Sequence, residues 1–432
     1  MKREPPETFP QSFLWGAATS AHQVEGGCTN NNWFAFESSN DAAGRPRIAG
    51  GQKAGPACRH WERFREDIRL LKEMGLNAYR FSVEWSKIEP EEDVFDESAL
   101  AHYEEVVNAL LEAGIVPMVT LHHFTNPLWF ERRGGFLLKN SPEVLARFSR
   151  KVYERLADRV PWWCTINEPA VYAVNGYVTG EFPPAEHNLA NAGIVLGNMM
   201  CAHTRMYEAC KELNASPQIG LATNIFIYVP ARRLHPMDII AAWLAHKNLN
   251  TEIFRYLVHG ELDFHFPFMV RERLKGMQPD AFDFVGLNYY TRFHLRFALG
   301  EMGNVRQVPH APADRLTDMG WEIYPEGFDE ALRMVGAWTQ KPILVTENGL
   351  ADDSDAKRPG FFRDHLRVLA EARESGVDVR GYFCWSLIDN FEWAHGYSKR
   401  FGLYHVDFAT QQRALRKGSE VVRDFIRSCT PQ

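Results

Sequence analysis

Two glutamates stand directly after apolar runs of the chain. Glu168 lies in the segment Thr-Ile-Asn-Glu-Pro (residues 165–169), and Glu347 lies in Thr-Glu-Asn-Gly (residues 346–349). A carboxyl at such a position is partly desolvated, and a second carboxylate nearby shifts its protonation further. Cleavage of a glycosidic bond through a covalent sugar ester needs such a pair, a neutral acid and an ionised nucleophile about 5–5.5 Å apart. Either glutamate alone could instead cap the next helix or pair with Arg80.

The two motifs fall within a regular alternation of short apolar runs and longer helical patterns. The apolar runs are nearly continuous, as is typical of parallel strands covered on both faces. Eight are predicted as strands: Phe13–Ala18, Ala78–Val83, Val116–Leu121, Trp162–Ile166, Ile219–Thr223, Phe284–Leu287, Ile343–Thr346 and Gly381–Trp385. Helical periodicity fills the intervals, most clearly where Trp61, Phe64, Ile68 and Leu71 share one face. Further helices are predicted over Ser98–Ala113, Ser141–Ala157, Ala190–Leu213, His235–Val258, Pro325–Trp338, Phe361–Glu374 and Gly418–Arg427.

Eight strands, each followed by a helix, predict an α/β fold in which residues 1–432 form a single (β/α)8 TIM barrel. Polar side chains follow almost every strand, and in a barrel these strand ends converge on one face. The rival architecture is a doubly wound open sheet. It is disfavoured because no glycine-rich phosphate loop follows the first strand, and because the polar groups are not confined to one switch point.

The composition argues against nucleic acid and membranes as binding partners. A net charge of −7 provides no field that would gather nucleic acid or anionic lipid, and no apolar segment is long enough to span a membrane. The seven cysteines include no C-x-x-C pair, so we expect free thiols and a cytoplasmic protein. We expect no cofactor and no metal, because His122 and His123 are adjacent on a strand and point to opposite faces.

The two glutamate motifs and the segment WSLIDNFEW (residues 385–393) resemble the signatures of glycoside hydrolase family 1. The similarity runs from about Phe9 to Ile426. It includes FLWGAATSAHQVEG (13–26), YRFSVEW (79–85), GLNYYT (286–291) and GYSKRFGL (396–403). The resemblance implies a (β/α)8 barrel and a retaining β-glycosidase. Its expected substrates are small β-glucosides and oligosaccharides, with galactosyl and fucosyl residues left open.

The resemblance also implies a role for each residue of the catalytic centre. Glu168 would be the general acid/base and Glu347 the nucleophile, while Asn167 would hold the sugar 2-hydroxyl. Arg80 falls where the family places an arginine against the nucleophile, and a fixed cation there keeps a carboxylate ionised. Tyr290 would donate a hydrogen bond to the nucleophile.

A sugar site needs an aromatic platform and paired polar groups. By position, Gln23 and Glu392 would each hold two hydroxyls, His123 and Trp393 would hold one more, and Trp385 would stack beneath the ring. Asn288 would support the catalytic groups. The remaining members of the expected substrate-binding set are Phe124, Asn224, Trp321 and Phe401, of which Trp321 resembles the family's aglycone platform.

The chain departs from the family pattern at three places. Phe124 stands where the family usually has tryptophan. Phenylalanine keeps an aromatic wall for the sugar site but lacks the N–H donor of tryptophan. The preference among glucose, galactose and fucose therefore stays open. The loops at residues 350–359 and 182–191 are shorter than usual, which predicts a more open aglycone entrance.

Three other functions compete with this interpretation. A 6-phospho-β-glycosidase is disfavoured because Glu392 would repel a phosphate, although Lys399 matches a phosphate-binding position. A sugar-binding relative without activity is disfavoured because both glutamates, Arg80 and Tyr290 are present. A thioglucosidase would be expected to lack the acid Glu168. The sequence leaves open whether the protein is a monomer or a homo-oligomer.

Overall fold

A closed barrel of eight parallel strands forms the centre of the protein. The computed structural model describes residues 9–301 and 304–429. The barrel strands are β1 (Leu14–Ala18), β2 (Ala78–Ser82), β3 (Val116–His122), β4 (Trp162–Asn167), β5 (Gln218–Asn224), β6 (Phe284–Tyr289), β7 (Ile343–Asn348) and β8 (Val379–Trp385). Each strand pairs with its neighbours in sequence, and β8 closes the barrel on β1. All eight predicted runs are barrel strands, which confirms the predicted fold.

Helices cover the outside of the barrel. They are α1 (His60–Met74), α2 (Glu97–Glu112), α3 (Ser141–Leu156), α4 (Leu189–Leu213), α5 (Pro236–His246), α6 (Glu252–His259), α7 (Pro325–Thr339), α8 (Arg358–Glu374) and α9 (Glu420–Cys429). Shorter helical segments are Ala21–Val24, Asn32–Glu37, Ala49–Gly51, Trp85–Ile88, Leu128–Arg132, Gly135–Leu137, Pro169–Val174, Asn175–Thr179, Lys247–Thr251, Ala313–Arg315, Trp393–Ser398 and Lys417–Ser419.

Helix α1 shows how local sequence sets these elements. Its residues Phe64, Ile68 and Leu71 are buried, as their spacing predicts. Trp61 lies at the margin, where its ring stacks on His102 of α2 with 3.7 Å between the ring centroids. The helix ends where Gly75 adopts a left-handed conformation with φ of 75°, a backbone angle that glycine reaches without steric cost.

The predicted helix over His235–Val258 is wrong in its middle. Two α-helices, α5 and α6, are joined there by a π-helical turn at Lys247–Thr251. The wider turn directs two asparagine side chains inward. Asn248 donates to the carbonyl of His265, and Asn250 donates to the carbonyl of Phe226 at 2.8 Å. The π-helical turn allows these hydrogen bonds to the backbone of neighbouring segments. Apolar periodicity in the sequence does not reveal them.

Within the described residues, seven strands lie outside the barrel, and the sequence analysis predicted none of them. Three form a small sheet, and four form two hairpins: Ile227–Pro230, Arg292–Phe297 and Val305–Val308; Leu262–Phe266 with Val270–Leu274; Tyr404–Asp407 with Gln412–Leu415. These strands are short and partly exposed, and several carry charges. They therefore lack the continuous apolar character that identified the barrel strands.

The inside of the barrel leads directly to the candidate site. Small and medium side chains of the strands, such as Ala18, Ala78, Met118 and Leu344, fill the interior. The same apolar cluster continues into Tyr290, Trp321, Trp385 and Phe401 at the carboxyl ends of the strands. The seven cysteines are free thiols, and Cys164 and Cys384 lie buried on β4 and β8. Among the described residues, no helix is long and apolar enough to cross a membrane.

Gly349, which follows β7, allows that strand end to lie against β8. A Cβ at this position would collide with the carbonyl oxygen of Trp385, whereas a Cβ at Gly360 in α8 would meet no atom within 4 Å. We predict that Gly349→Ala lowers the free energy of unfolding by about 2 kcal/mol or more, because backbone cannot yield as a side chain can. Gly360→Ala is the matched control and should be neutral or slightly stabilising. Thermal unfolding of both variants tests this prediction. Equal unfolding midpoints would contradict the close approach of Gly349 to the carbonyl oxygen of Trp385.

Candidate active site

The parallel register brings the predicted polar residues to one end of the barrel. On one side, Ala18 of β1 pairs with both Arg80 of β2 and Trp385 of β8. On the other side, Asn288 of β6 pairs with Asn224 of β5 and with Glu347 of β7. Side chains that are far apart in sequence are therefore one strand apart in space.

Both glutamates lie at irregularities of the barrel. The register between β4 and β5 shifts between Cys164 and Asn167, and the register between β6 and β7 shifts between Val345 and Glu347. Such shifts bend a strand and redirect its side chains. Glu168 itself has φ of 46°, in the left-handed region that non-glycine residues rarely occupy. Pro169 follows at the first position of the next helix, where a proline fits.

Glu347 is held as an anion by two donors. Arg80 donates from Nη1 to its Oε1 at 2.7 Å, and the Tyr290 hydroxyl donates to its Oε2 at 2.7 Å. The side chains of Arg80 and Glu347 are 1% and 4% exposed, so this ion pair is shielded from water. Burial raises the pKa of Glu347, and the charge of Arg80 and the hydrogen bond from Tyr290 oppose that rise.

Glu168 has a different environment. It is buried, and the hydrogen bond described for its carboxyl comes from the amide of Asn288, which donates to Oε1 at 2.8 Å. Burial first, and the charge of Glu347 second, raise the pKa of Glu168 to about 8. Near neutral pH the two carboxyls are therefore unequal: Glu168 holds a proton, and Glu347 with its cation carries the charge.

Asn167 links the two glutamates. Its Oδ1 accepts from Arg80 Nη2 at 2.6 Å and from Asn288 Nδ2 at 3.2 Å. The same Asn288 bonds Glu168, so the chain Glu347, Arg80, Asn167, Asn288, Glu168 is continuous. The amide of Asn167 lies 3.2 Å from Nε2 of His123. The predicted catalytic residues form one connected network.

Gln23 and Glu392 meet on the opposite side of the site. Gln23 donates to Glu392 Oε2 at 3.2 Å, and Ser20 donates to Gln23 Oε1 at 2.6 Å, which fixes the orientation of the amide. Burial first, and the charge of Glu347 second, raise the pKa of Glu392 to about 8. Its carboxyl therefore faces the same space as the nucleophile, close enough to be affected by its charge.

Aromatic rings form the walls. His123 stacks on Trp385 with centroids 5.8 Å apart and on Trp393 with centroids 6.1 Å apart. Phe124, which has φ of 67°, meets the Trp393 ring at 5.3 Å. On the outer side, Trp321 lies 5.4 Å from the Tyr290 ring and 6.3 Å from the Phe401 ring. Asn224 is buried beside Asn288, and its Oδ1 has no hydrogen-bond partner among the described residues.

Several supporting residues were missed by sequence reasoning. Thr120 accepts from Arg80 Nε at 3.1 Å, and Thr346 donates to Asn288 Oδ1 at 2.6 Å. The ring of His22 lies parallel to the Trp393 ring at an interplanar angle of 6°, and Trp33 packs on the same ring at 4.6 Å. Thr346 is the first residue of the motif at 346–349, and Thr120 lies near the end of a predicted strand, so their position at strand ends was a usable signal. Trp33 lies outside those motifs.

The histidine pair after β3 diverges, as expected of adjacent strand residues. His122 Nε2 lies 2.8 Å from Asn126 Oδ1, while His123 faces Asn167. One group of three residues could hold a metal within the described part of the chain, namely His22, Cys28 and Glu84. Glu84 already accepts hydrogen bonds from Asn31, Ser86 and Thr125, so its oxygens are engaged.

Comparisons with known proteins agree with this geometry. The family model for glycosyl hydrolase family 1 matches residues 5–430. Beta-glucosidase A of Thermotoga maritima is 33% identical over 94% of this chain and 95% of that protein. A β-glycosidase from Pyrococcus horikoshii is 38% identical, with a TM-score of 0.88 over 98% of this chain and 96% of that one. A β-glucosidase from Thermotoga maritima in complex with glucoimidazole is 31% identical, with a TM-score of 0.89 over 98% of this chain and 100% of that one.

The chain belongs to glycosyl hydrolase family 1. It is a retaining β-glycosidase, since the retaining mechanism is general to the family.

The raised pKa of Glu168 predicts a pH-dependent cost in stability. The pKa of Glu168 is about 8 in the folded protein, against an ordinary 4.5. The protonated side chain therefore contributes fully to the stability of the folded state below pH 4.5, and this contribution is lost as the pH rises towards 8. Glu168→Gln removes this titration, and it should increase the free energy of unfolding at neutral pH by on the order of 1–3 kcal/mol. Thermal unfolding from acidic to alkaline pH tests this. A difference between variant and wild type that does not grow with pH would show that Glu168 titrates normally.

Proposed function

We propose that this protein hydrolyses β-D-glucosides and short β-linked oligosaccharides by double displacement, with Glu347 as nucleophile and Glu168 as acid/base. The observation that carries the proposal is the inequality of the two buried carboxyls. Glu347 is clamped between a cation and a phenol, whereas Glu168 contacts a neutral amide. The first arrangement favours an anion and the second a proton.

In the first step, Glu168 gives its proton to the glycosidic oxygen while Glu347 attacks the anomeric carbon. The bond from that carbon to the glycosidic oxygen breaks, and the aglycone leaves as an alcohol. The sugar is then an ester of Glu347. Asn167, bound to Arg80 through Oδ1, presents its amide group beside His123, where a sugar hydroxyl at the adjacent carbon can be held.

In the second step, the ester has removed the charge of Glu347, so one cause of the raised pKa of Glu168 is gone. Glu168 is then the base that takes a proton from water. The water oxygen bonds to the anomeric carbon, and the ester bond to Glu347 breaks. Two inversions at the carbon release a sugar with the original β configuration, and Glu168 is protonated again.

Gln23 and Glu392 favour a sugar with free hydroxyls over a phosphorylated one. Their amide and carboxyl groups supply donors and acceptors side by side, and both are buried. A phosphate at the sugar 6-position would lie beside the buried Glu392 carboxyl, which supplies no positive charge to compensate the phosphate in a dry site. We therefore infer specificity for unphosphorylated substrates. Phe124 beside Trp393 keeps this wall of the site apolar.

The aglycone side extends beyond Trp321. A cavity of about 290 Å³ lies against this ring, and Phe293, His310, Gln307 and Glu322 also line it. Trp321 also packs on Tyr290, which bonds Glu347, so this ring lies between the cavity and the catalytic centre. Aromatic and polar walls together suit further sugar units of an oligosaccharide.

We further infer that residues 1–432 act as one catalytic domain in a reducing cytoplasm. The free cysteines support this compartment, since five of the seven are buried and none is paired.

The nucleophile assignment is tested by Glu347→Ala. The variant should lose turnover, because the covalent route is gone. Azide should partly restore it by occupying the vacated space, and the product should be the α-glycosyl azide. Proton NMR of the wild-type reaction should show β-glucose first. Initial α-glucose from the wild type, or full activity of the variant, would exclude the assignment.

The acid/base assignment is tested by Glu168→Ala. For the wild type, kcat/KM should fall as the pH rises through about 8, because the proton that Glu168 must donate is lost. The variant should lose this alkaline limb. It should hydrolyse poorly activated glucosides very slowly, while a dinitrophenyl glucoside, which needs no protonation to leave, should show a burst followed by slow turnover.

Glu392→Gln is the matched control for that experiment, since its carboxyl has a similarly raised pKa but donates no proton to the substrate. It should retain the alkaline limb. If Glu168→Ala slows both leaving groups equally and keeps the limb, another residue is the acid.

Specificity for the free sugar is tested by Glu392→Ser. Loss of the buried carboxyl removes hydrogen bonds to two sugar hydroxyls, so binding of glucosides should weaken by on the order of 2–3 kcal/mol. Weak activity on 6-phosphoglucosides should appear. Steady-state kinetics with both substrates measure this, and a wild type that prefers the phosphorylated one would overturn the inference.

A further inference from the structure

Helix α5 is apolar on its outer side as well as its inner side. Its inner side packs through Asp238, Ala241, Ala242 and Ala245, which are buried. Its outer side presents Met237, Ile239, Ile240 and Trp243, with Trp243 59% exposed. Leu234, two residues before the helix begins, is 87% exposed. A helix on a protein surface normally carries polar residues outward, so this face lacks a partner.

Two loop tips extend the same surface. Phe268, at the tip of the hairpin formed by Leu262–Phe266 and Val270–Leu274, is fully exposed, and Met269 beside it is 44% exposed. Leu299, in the turn after Arg292–Phe297, is 83% exposed. Elsewhere in the described chain, Val94 and Leu111 are the large apolar side chains classed as exposed.

Hydrogen bonds place these segments side by side. Ala231 donates to the carbonyl of Leu295, and Phe297 donates to Asp238 of α5 at 3.0 Å, so the turn at Leu299 borders the start of the helix. Asn304 Nδ2 lies 3.6 Å from Met269 Sδ, which joins that turn to the hairpin tip. We call the combined surface the α5 apolar face; it consists of Leu234, Met237, Ile239, Ile240, Trp243, Phe268, Met269 and Leu299.

The border of the α5 apolar face is cationic. Two of its carboxylates are already paired: Asp238 pairs with Arg232, and Asp263 pairs with both Arg271 and Arg273. Two arginines have no ion pair with any described residue. Arg233 adjoins Leu234, and Arg296 stands three residues before Leu299. The net charge of −7 predicts no attraction of the chain as a whole to anionic lipid, but this surface has unpaired positive charge where its apolar side chains protrude.

This charge distribution decides between two occupants. A second copy docked by a two-fold axis would bring these arginines against the same patch of its mate, where like charges repel. An anionic lipid surface offers phosphates to the arginines and an acyl boundary to Trp243, Phe268 and the aliphatic side chains. We propose that the α5 apolar face docks the protein peripherally on an anionic bilayer surface. Attachment of this kind requires no spanning helix.

Vesicle flotation tests the proposal with the full chain. The probes are phosphatidylcholine vesicles, with and without about one third phosphatidylglycerol. Wild type should float with the anionic vesicles and not with the neutral ones, and added salt should reduce the bound fraction. The double variant Trp243→Ser with Phe268→Ser should lose at least about tenfold in binding. Arg233→Glu with Arg296→Glu should abolish the preference for anionic lipid.

The matched control is Val94→Ser with Leu111→Ser, which removes exposed apolar side chains elsewhere and should bind vesicles as wild type does. All variants should hydrolyse a soluble aryl glucoside at the wild-type rate, because the α5 apolar face contains no residue of the active site. The proposal is overturned if wild type does not float with anionic vesicles. It is also overturned if light scattering shows an oligomer that Trp243→Ser with Phe268→Ser converts to a monomer, since a second copy then covers the face.

Discussion

Arg80 carries a positive charge inside the barrel, and the geometry of the site depends on how that charge is satisfied. Removing a guanidinium from water costs several kcal/mol unless an anion and further hydrogen-bond acceptors replace the solvent. Arg80 on β2 finds its acceptors on three other strands: Thr120 on β3, Asn167 on β4 and Glu347 on β7. The guanidinium therefore connects strands that are not all neighbours, and it fixes the nucleophile relative to the residue beside the acid.

The same interaction makes the two glutamates different. Arg80 favours the ionised form of Glu347, and the negative charge of Glu347 adds to the effect of burial in disfavouring a charge on Glu168 and on Glu392. Burial and the charge of Glu347 therefore act together to raise the pKa of Glu168 and of Glu392. Ion pairing and hydrogen bonding by Arg80 position the polar side chains of the site, and aromatic rings form its walls.

Sequence reasoning succeeded where one physical signal dominated. The barrel strands are buried on both faces, so their continuous apolar runs identified all eight, and parallel pairing then required the polar residues after them to converge. The hairpin strand Val270–Leu274 could not be found this way, because its two arginines and its glutamate break any apolar pattern. The π-helical turn after α5 depends on the distant acceptors of Asn248 and Asn250.

In the candidate site, the motifs predicted which side chains would come together, but they did not predict the local backbone of those residues. The left-handed conformations of Glu168 and Phe124 and the register shifts before Asn167 and Glu347 arise from tertiary constraints on short segments. The parallel packing of His22 on Trp393 joins two segments at opposite ends of the chain, and no local pattern indicates it.

The contact between Gln23 and Glu392 crosses the seam where β8 closes on β1. Its two halves are separated by nearly the whole polypeptide, so the sugar-binding site is assembled last during synthesis. A nascent chain that has already formed the strands bearing Arg80, Glu168 and Glu347 still lacks half of the clamp until β8 and the segment after it have emerged and docked. A ligand bound by both Gln23 and Glu392 would connect the segments that follow the first and last strands, and it would thereby stabilise the closed barrel against unfolding.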